Sequence, residues 1–152
     1  MRALRPDPNL GKRLTLYVDG ASRGNPGPSS FGAILLDEND RVLEELSGFL
    51  GRTTNNVAEY QGLLAGLAMA LEYSPNHLTV KSDSQLLTNQ LLLKYRIKNP
   101  KLIPLFDRAK TLLKQFPQVE ILHIPREENR PADVLANNAL EREASRGEPS
   151  GR

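Results

Sequence analysis

Residues 55–82 read NNVAEYQGLLAGLAMALEYSPNHLTVKS. Two kinds of order meet in that stretch. Tyr60, Leu63, Leu64, Leu67 and Leu71 recur at the i, i+3, i+4, i+7 spacing, which predicts an amphipathic helix over about 55–73. The short apolar run 78–82 (LTVKS) then reads as a strand. Toward the N-terminus the pattern is all strand. Residues 14–19 (LTLYVD) form an apolar run ended by Gly20. Residues 21–30 (ASRGNPGPSS) read as a turn-rich loop. Residues 31–36 and 42–50 read as strands joined by a polar turn at 37–41, so the first three runs suit an antiparallel meander. Toward the C-terminus, helices are predicted at 84–94 and 101–115, a strand at 119–124 (VEILHI), and a helix at 131–143. Pro131 opens that last helix, where a missing N–H costs nothing. The order βββαβααβα predicts an α/β fold, a mixed five-stranded sheet that is partly parallel after the meander.

A chain of 152 residues fits one domain with a core that needs no staples. There is no cysteine, which excludes disulfides and thiolate chemistry and fits a reducing, cytoplasmic setting. No apolar run approaches the ~18 residues of a membrane span. Residues 1–13 offer no apolar stretch of signal-peptide length, so secretion is not expected. Residues 1–12 read as a flexible basic arm, 13–141 as the folded domain and 142–152 as a disordered tail. Once the helices are packed no apolar stripe is left over, so a monomer is expected. Net charge is only +2, but it is unevenly spread. Residues 1–13 carry +3 and residues 94–114 carry +6, which leaves −7 for the rest. A basic segment beside an acidic remainder suits a nucleic-acid binder with a carboxylate metal site, although such a run can also be a solvated helix face.

Four acids stand at strand ends and helix starts: Asp19, Glu59, Asp83 and Asp133. Each has a structural explanation when taken singly. Asp before Gly is a turn signal. Glu59 follows Asn56 by three, as in a capping box. Asp83 is placed to cap a helix. Asp133 suits a helix N-terminus. Together they say more, because strand ends and helix starts on one edge of an α/β sheet converge on a shared crevice. Four carboxylates gathered there repel one another, and a divalent cation removes that penalty. Hard oxygen ligands select Mg²⁺ or Mn²⁺. With two histidines and no cysteine, zinc is disfavoured.

At these residues the chain resembles ribonuclease H type 1. The resemblance lies in 17–27 (YVDGASRGNPG), 53–59 (TTNNVAE), 81–85 (KSDSQ) and 123–136 (HIPREENRPADVLA), and it covers about residues 14–141. It implies a ribonuclease H-like sheet with helices on both faces. It implies an endonuclease that cuts the RNA strand of RNA–DNA hybrids, leaving 5′-phosphate and 3′-hydroxyl ends. It implies two Mg²⁺ ions, with Mn²⁺ able to substitute, held by Asp19, Glu59, Asp83 and Asp133. By the same resemblance Asn25, Asn55, Asn56 and Gln85 contact the minor groove, where 2′-hydroxyls distinguish RNA from DNA. Arg52 and Thr54 grip a phosphate of the DNA strand, joined by Asn99.

The chain departs from the family pattern twice. Many members carry a flexible histidine upstream of the last aspartate. Here the loop offers Arg126, and some members use an arginine there, so Arg126 is assigned the catalytic role. His123, on the apolar run VEILHI, reads as a structural histidine. Many members also insert a basic handle rich in tryptophan. This chain has no Trp, and residues 94–101 leave no room for an extra helix, so the basic stripe 94–114 or the arm is left to substitute. Two alternatives stand beside this reading: a hybrid-binding module without catalysis, and a related nuclease acting mainly on double-stranded RNA or another duplex.

Overall fold

The computed structural model describes residues 12–146. Its strands are β1 (Arg13–Ser22), β2 (Gly27–Leu36), β3 (Val42–Thr53), β4 (His77–Ser82) and β5 (Gln118–His123). They form one sheet in the order β3-β2-β1-β4-β5. The β1–β2 and β2–β3 pairs are antiparallel, while β4 runs parallel to both β1 and β5. The helices are α1 (Asn55–Leu71), α2 (Gln85–Leu91), α3 (Ile103–Leu113) and α4 (Arg130–Arg146), with a 3-10 turn at Arg126–Asn129. The element order and mixed sheet match the sequence reading.

Side chains alternate across a strand, so β1 serves two layers. Leu14, Leu16 and Val18 turn one way and pack with Leu63 and Leu67 of α1, Leu78 and Val80 of β4, and Leu105 and Ala109 of α3. Burying each large aliphatic side chain stabilises by about 1.5–3 kcal/mol. Asp19 and Ala21 turn the other way. Ala21 packs on Ala136 and Leu140 of α4. The switch between the two faces at the end of β1 is what aims the Asp19 carboxylate away from the main core.

Several boundaries differ from the sequence reading. The loop expected at 21–30 shrinks to four residues. Pairing persists out to Ser22↔Ser29, and the Arg23 N–H donates to the Pro28 carbonyl. Two serines in that segment are buried but satisfied: Ser29 Oγ donates to the Gly27 carbonyl at 2.9 Å, and Ser30 Oγ donates to the Ala136 carbonyl. α2 stops at Leu91, and Leu93 takes a φ of 62°. At the C-terminus α4 runs to Arg146, so residues 142–146 are helix and not disordered tail. Buried Leu140 anchors that extension, and an i,i+3 contact between Glu143 and Arg146 at 3.7 Å follows it. Residues 1–11 and 147–152, which hold most of the expected arm and the rest of the expected tail, lie outside the described residues.

α4 can approach the sheet closely because Gly32 has no side chain. A Cβ there would collide with the Ala132 carbonyl oxygen and lie 2.8 Å from the Ala136 nitrogen. Overpacking of this kind costs about 1–3 kcal/mol. The Gly32→Ala variant is therefore expected to melt roughly 2–12 °C lower, as read by thermal circular dichroism.

Candidate active site

Asp19 lies near the end of β1, and Asp83 directly follows β4. Glu59 reaches them from the second turn of α1. That helix starts tight against β1 because residue 20 is glycine. A Cβ on Gly20 would lie 2.7 Å from the Glu59 nitrogen and 2.8 Å from the Ala58 carbonyl carbon. None of the three acids serves as a helix cap. Thr54 caps α1, with Oγ1 accepting from the Val57 N–H at 3.2 Å. Ser84 caps α2, with Oγ accepting from the Leu87 N–H at 3.1 Å. The capping readings of Glu59 with Asn56, and of Asp83, are thereby overturned, and the carboxylates are free to face one another.

One carboxylate oxygen from each of Asp19, Glu59 and Asp83 can be chosen so that all three lie within 4.8 Å of one another. They sit in a cleft of about 510 Å³ lined by polar groups, among them Asn55, Asn56, Ser84, Arg126, Asp133 and Asn137. Asp133, in the first turn of α4, lines the same cleft beside the trio. Its position is fixed from its own helix: Asn137 Nδ2 donates to Asp133 Oδ1 at 3.0 Å and to the Asp133 carbonyl at 2.9 Å. The exposed Arg126 guanidinium stands 4.0 Å from the same Oδ1.

Burial and mutual repulsion leave their mark on the acids. Burial pushes the Asp19 carboxyl up to about 9, helped by the charge of Asp83, by neighbouring Asp133 and by the charge of Glu59. Burial raises Glu59 to about 7; a hydrogen bond with Ser84 opposes this, and the Asp83 charge adds to it. A cluster of hard, mutually repelling oxygens is a donor set for a divalent cation of the Mg²⁺ or Mn²⁺ type.

The remaining residues singled out in the sequence surround this cleft unevenly. Asn55 and Asn56 line it. Asn25 does not, but its Oδ1 accepts from the Asn55 N–H at 3.0 Å and so ties the β1–β2 turn to the start of α1. Thr54 caps α1 beside the cleft. Arg52 is exposed on β3, and Gln85 is exposed as the first residue of α2. Asn99 lies apart, in the turn before α3, where its Oδ1 accepts from the Lys101 N–H at 2.9 Å. His123 is exposed at the end of β5, with Nε2 3.3 Å from the Asp83 backbone oxygen. Sequence reasoning missed Asn137 and Asn129. An amide one helical turn after Asp133 was a usable signal for the first. Nothing local marks the second.

The chain matches the family model described as reverse transcriptase-like over residues 17–139. It is 39% identical over 130 residues to a bifunctional protein of Mycobacterium tuberculosis, covering 85% of this chain but 36% of that protein. The chain thus spans about a third of the length of those mycobacterial relatives. The solved N-terminal ribonuclease H domain of that protein, a fusion with maltose-binding protein, superposes with a TM-score of 0.86 at 38% identity, covering 90% of this chain and 99% of that one. Ribonuclease HI of Halobacterium salinarum is 40% identical over 134 residues, covering 88% of this chain and 67% of that protein. LC11 ribonuclease H1 from compost, solved in complex with an RNA/DNA hybrid, has a TM-score of 0.82 at 34% identity, covering 86% of this chain and 99% of that one.

The raised carboxyls link stability to pH in the metal-free protein. Above about pH 4 the unfolded chain has released these protons, while folded Asp19 and Glu59 still hold them. Stability therefore falls as pH rises from about 5 through 7 and on to about 9. Thermal melts in chelator should show this decline. Asp19→Asn should flatten it and raise the melting temperature at pH 8, and millimolar Mg²⁺ should do the same for the unaltered protein.

Proposed function

The chain belongs to the ribonuclease H family, and from that premise we propose that it is an endonuclease cutting the RNA strand of RNA–DNA hybrids, with products bearing 5′-phosphate and 3′-hydroxyl ends. The observation that carries this reading is the cluster of Asp19, Glu59 and Asp83 within 4.8 Å in a polar cleft rimmed by Asn55 and Asn56. We assign the catalytic unit to residues 13–146, acting as a monomer in the cytoplasm. Among the described residues no helix is long and apolar enough to cross a membrane.

Asp19, Glu59, Asp83 and Asp133 would together hold two divalent ions, Mg²⁺ by preference with Mn²⁺ substituting. Such ions, when bound, supply the Lewis acidity that activates water and stabilises the leaving 3′ oxygen. The protein's own groups do the rest. Burial of Asp19 and Glu59 removes water from the donor set, which strengthens each charge interaction there. Asn137 fixes the Asp133 carboxylate, so its rotamer is set before substrate arrives. Arg126, on the open rim, offers a mobile positive charge beside Asp133 and the scissile phosphate. Asn55 and Asn56 present amides that can both donate to and accept from a 2′-hydroxyl, as the minor groove of an RNA strand requires. Asn25 holds that segment through its bond to the Asn55 N–H. Gln85 extends the same rim, and Arg52 with the Thr54 segment meets the phosphates of the DNA strand. Asn99, engaged in its own turn, contributes at most from the far edge of this surface.

Labelled hybrid, single-stranded RNA, double-stranded RNA and duplex DNA, each incubated with Mg²⁺, Mn²⁺ or chelator, test the reading. Metal-dependent cutting confined to the RNA strand of the hybrid is expected. Asp19→Asn and Asp83→Asn should each lower the rate by at least about a hundredfold with an unchanged circular dichroism spectrum. Hybrid cleavage at the unaltered rate by either variant would overturn the assignment, and hybrid binding without turnover in either metal would make the protein a binding module.

A further inference from the structure

β1 and β4 separate where the site begins. Their parallel ladder ends at Tyr17↔Lys81. Beyond it β1 stays paired with β2 out to Ser22, while β4 stays paired with β5 out to Ser82↔His123. Asp19 follows the last rung on β1 and Asp83 follows it on β4, and both line the acidic cleft. One buried side chain bonds to both sides of this divergence. Asn129, the last residue of the 3-10 turn, is 0% exposed. Its Nδ2 donates to the Val18 carbonyl at 2.9 Å and reaches Asp83 Oδ1 at 3.4 Å. The Val18 carbonyl directly precedes Asp19, so this one amide touches the frame of both acids.

The other end of the amide shows that this is not a packing choice. Asn129 Oδ1 is buried without a hydrogen-bond partner among the described protein groups. An unpaired buried acceptor costs about 1–3 kcal/mol. Flipping the amide would give no relief, because its oxygen would then face a carbonyl and a carboxylate. The donors fix the orientation, and the oxygen is left to bear the cost. Orphaned buried polar atoms in native structures call for a functional account.

We propose that Asn129 is a positioning residue for the acidic cluster. Its amide replaces the missing rung between β1 and β4, holds the Asp83 carboxylate at a fixed distance from Asp19, and anchors the turn that leads from Arg126 to Asp133. The catalytic part of this inference rests on the nuclease reading. The metal-binding part does not.

The test uses the metal-free protein and Mn²⁺ titrated by calorimetry, alongside steady-state hybrid cleavage well below each variant's melting temperature. Asn129→Leu keeps most of the volume and removes the donors. It is expected to weaken Mn²⁺ binding by about tenfold or more and to lower kcat by a similar factor, as loss of a group that orients metal ligands does, with KM for the hybrid changed less than about twofold. In an Asp83→Asn background the same substitution should have little further effect on Mn²⁺ binding, because the amide acts through that carboxylate. Should Asn129→Leu fail to fold, the smaller Asn129→Ser carries the same comparison. Mn²⁺ affinity and kcat at unaltered levels in a folded variant would overturn the proposal. So would equal effects in both backgrounds, or failure of both variants to fold, each of which marks a purely structural residue. If the unaltered protein binds Mn²⁺ but leaves the hybrid intact, the nuclease reading fails, and the metal titrations alone decide the role of Asn129.

Discussion

Asp19 and Glu59 are each more than nine-tenths buried, and both lie within reach of Asp83. Ionising carboxyls so close together in a low-dielectric setting is costly, through lost hydration and mutual repulsion, which is why Asp19 and Glu59 hold their protons to raised pH. No packing preference would assemble them, and folding alone gains nothing from it. The surrounding structure has to hold them together against that cost. It does so with a wide, well-filled core: Leu16, Val18, Leu63, Leu67 and Leu78 are essentially removed from water, and they fix α1 and β4 rigidly against β1. The site is thus a local cost that the rest of the sheet offsets, and its cluster of hard oxygens suits a divalent cation, whose binding would relieve that cost.

The means of assembly are short-range. Gly20 removes a side chain that would keep the start of α1 from β1. Gly32 does the same for α4 on the opposite face, so both helices start close to the strand that carries Asp19. Thr54 and Ser84 take over the capping of α1 and α2. That division of labour leaves Glu59 and Asp83 with no structural task at a helix end. Two asparagines then set the carboxylates: Asn137 holds Asp133 from the next helical turn, and Asn129 spans the gap between the strands.

How far the sequence could be read depends on whether the signal was local. The heptad-like spacing of Tyr60, Leu63, Leu64 and Leu67 marked α1, and short apolar runs marked β1, β4 and β5. The acids were visible because the sequence pattern puts each near the end of a strand or the start of a helix. The ends of elements were less legible. Serine, glycine and proline at 21–30 suggested a loop, yet β1 and β2 keep pairing through Ser22↔Ser29 because Ser29 and Ser30 find acceptors inside the fold. Residues 142–146 looked unstructured by composition, and α4 carries them because Leu140 is anchored against the sheet.

By itself the sequence determined the order of strands and helices and picked out the four candidate acids, because period and punctuation are properties of neighbouring residues. Only the tertiary structure decided which polar residues share the cleft. Asn55 and Asn56 line it, while Asn99 is occupied by its own turn. Asn129 lies 46 residues from Asp83 in the chain and 3.4 Å from it in space. That contact exists only because β1 and β4 part company after Tyr17 and Lys81. No local pattern encodes such a gap, since it follows from where two strands distant in sequence stop being parallel.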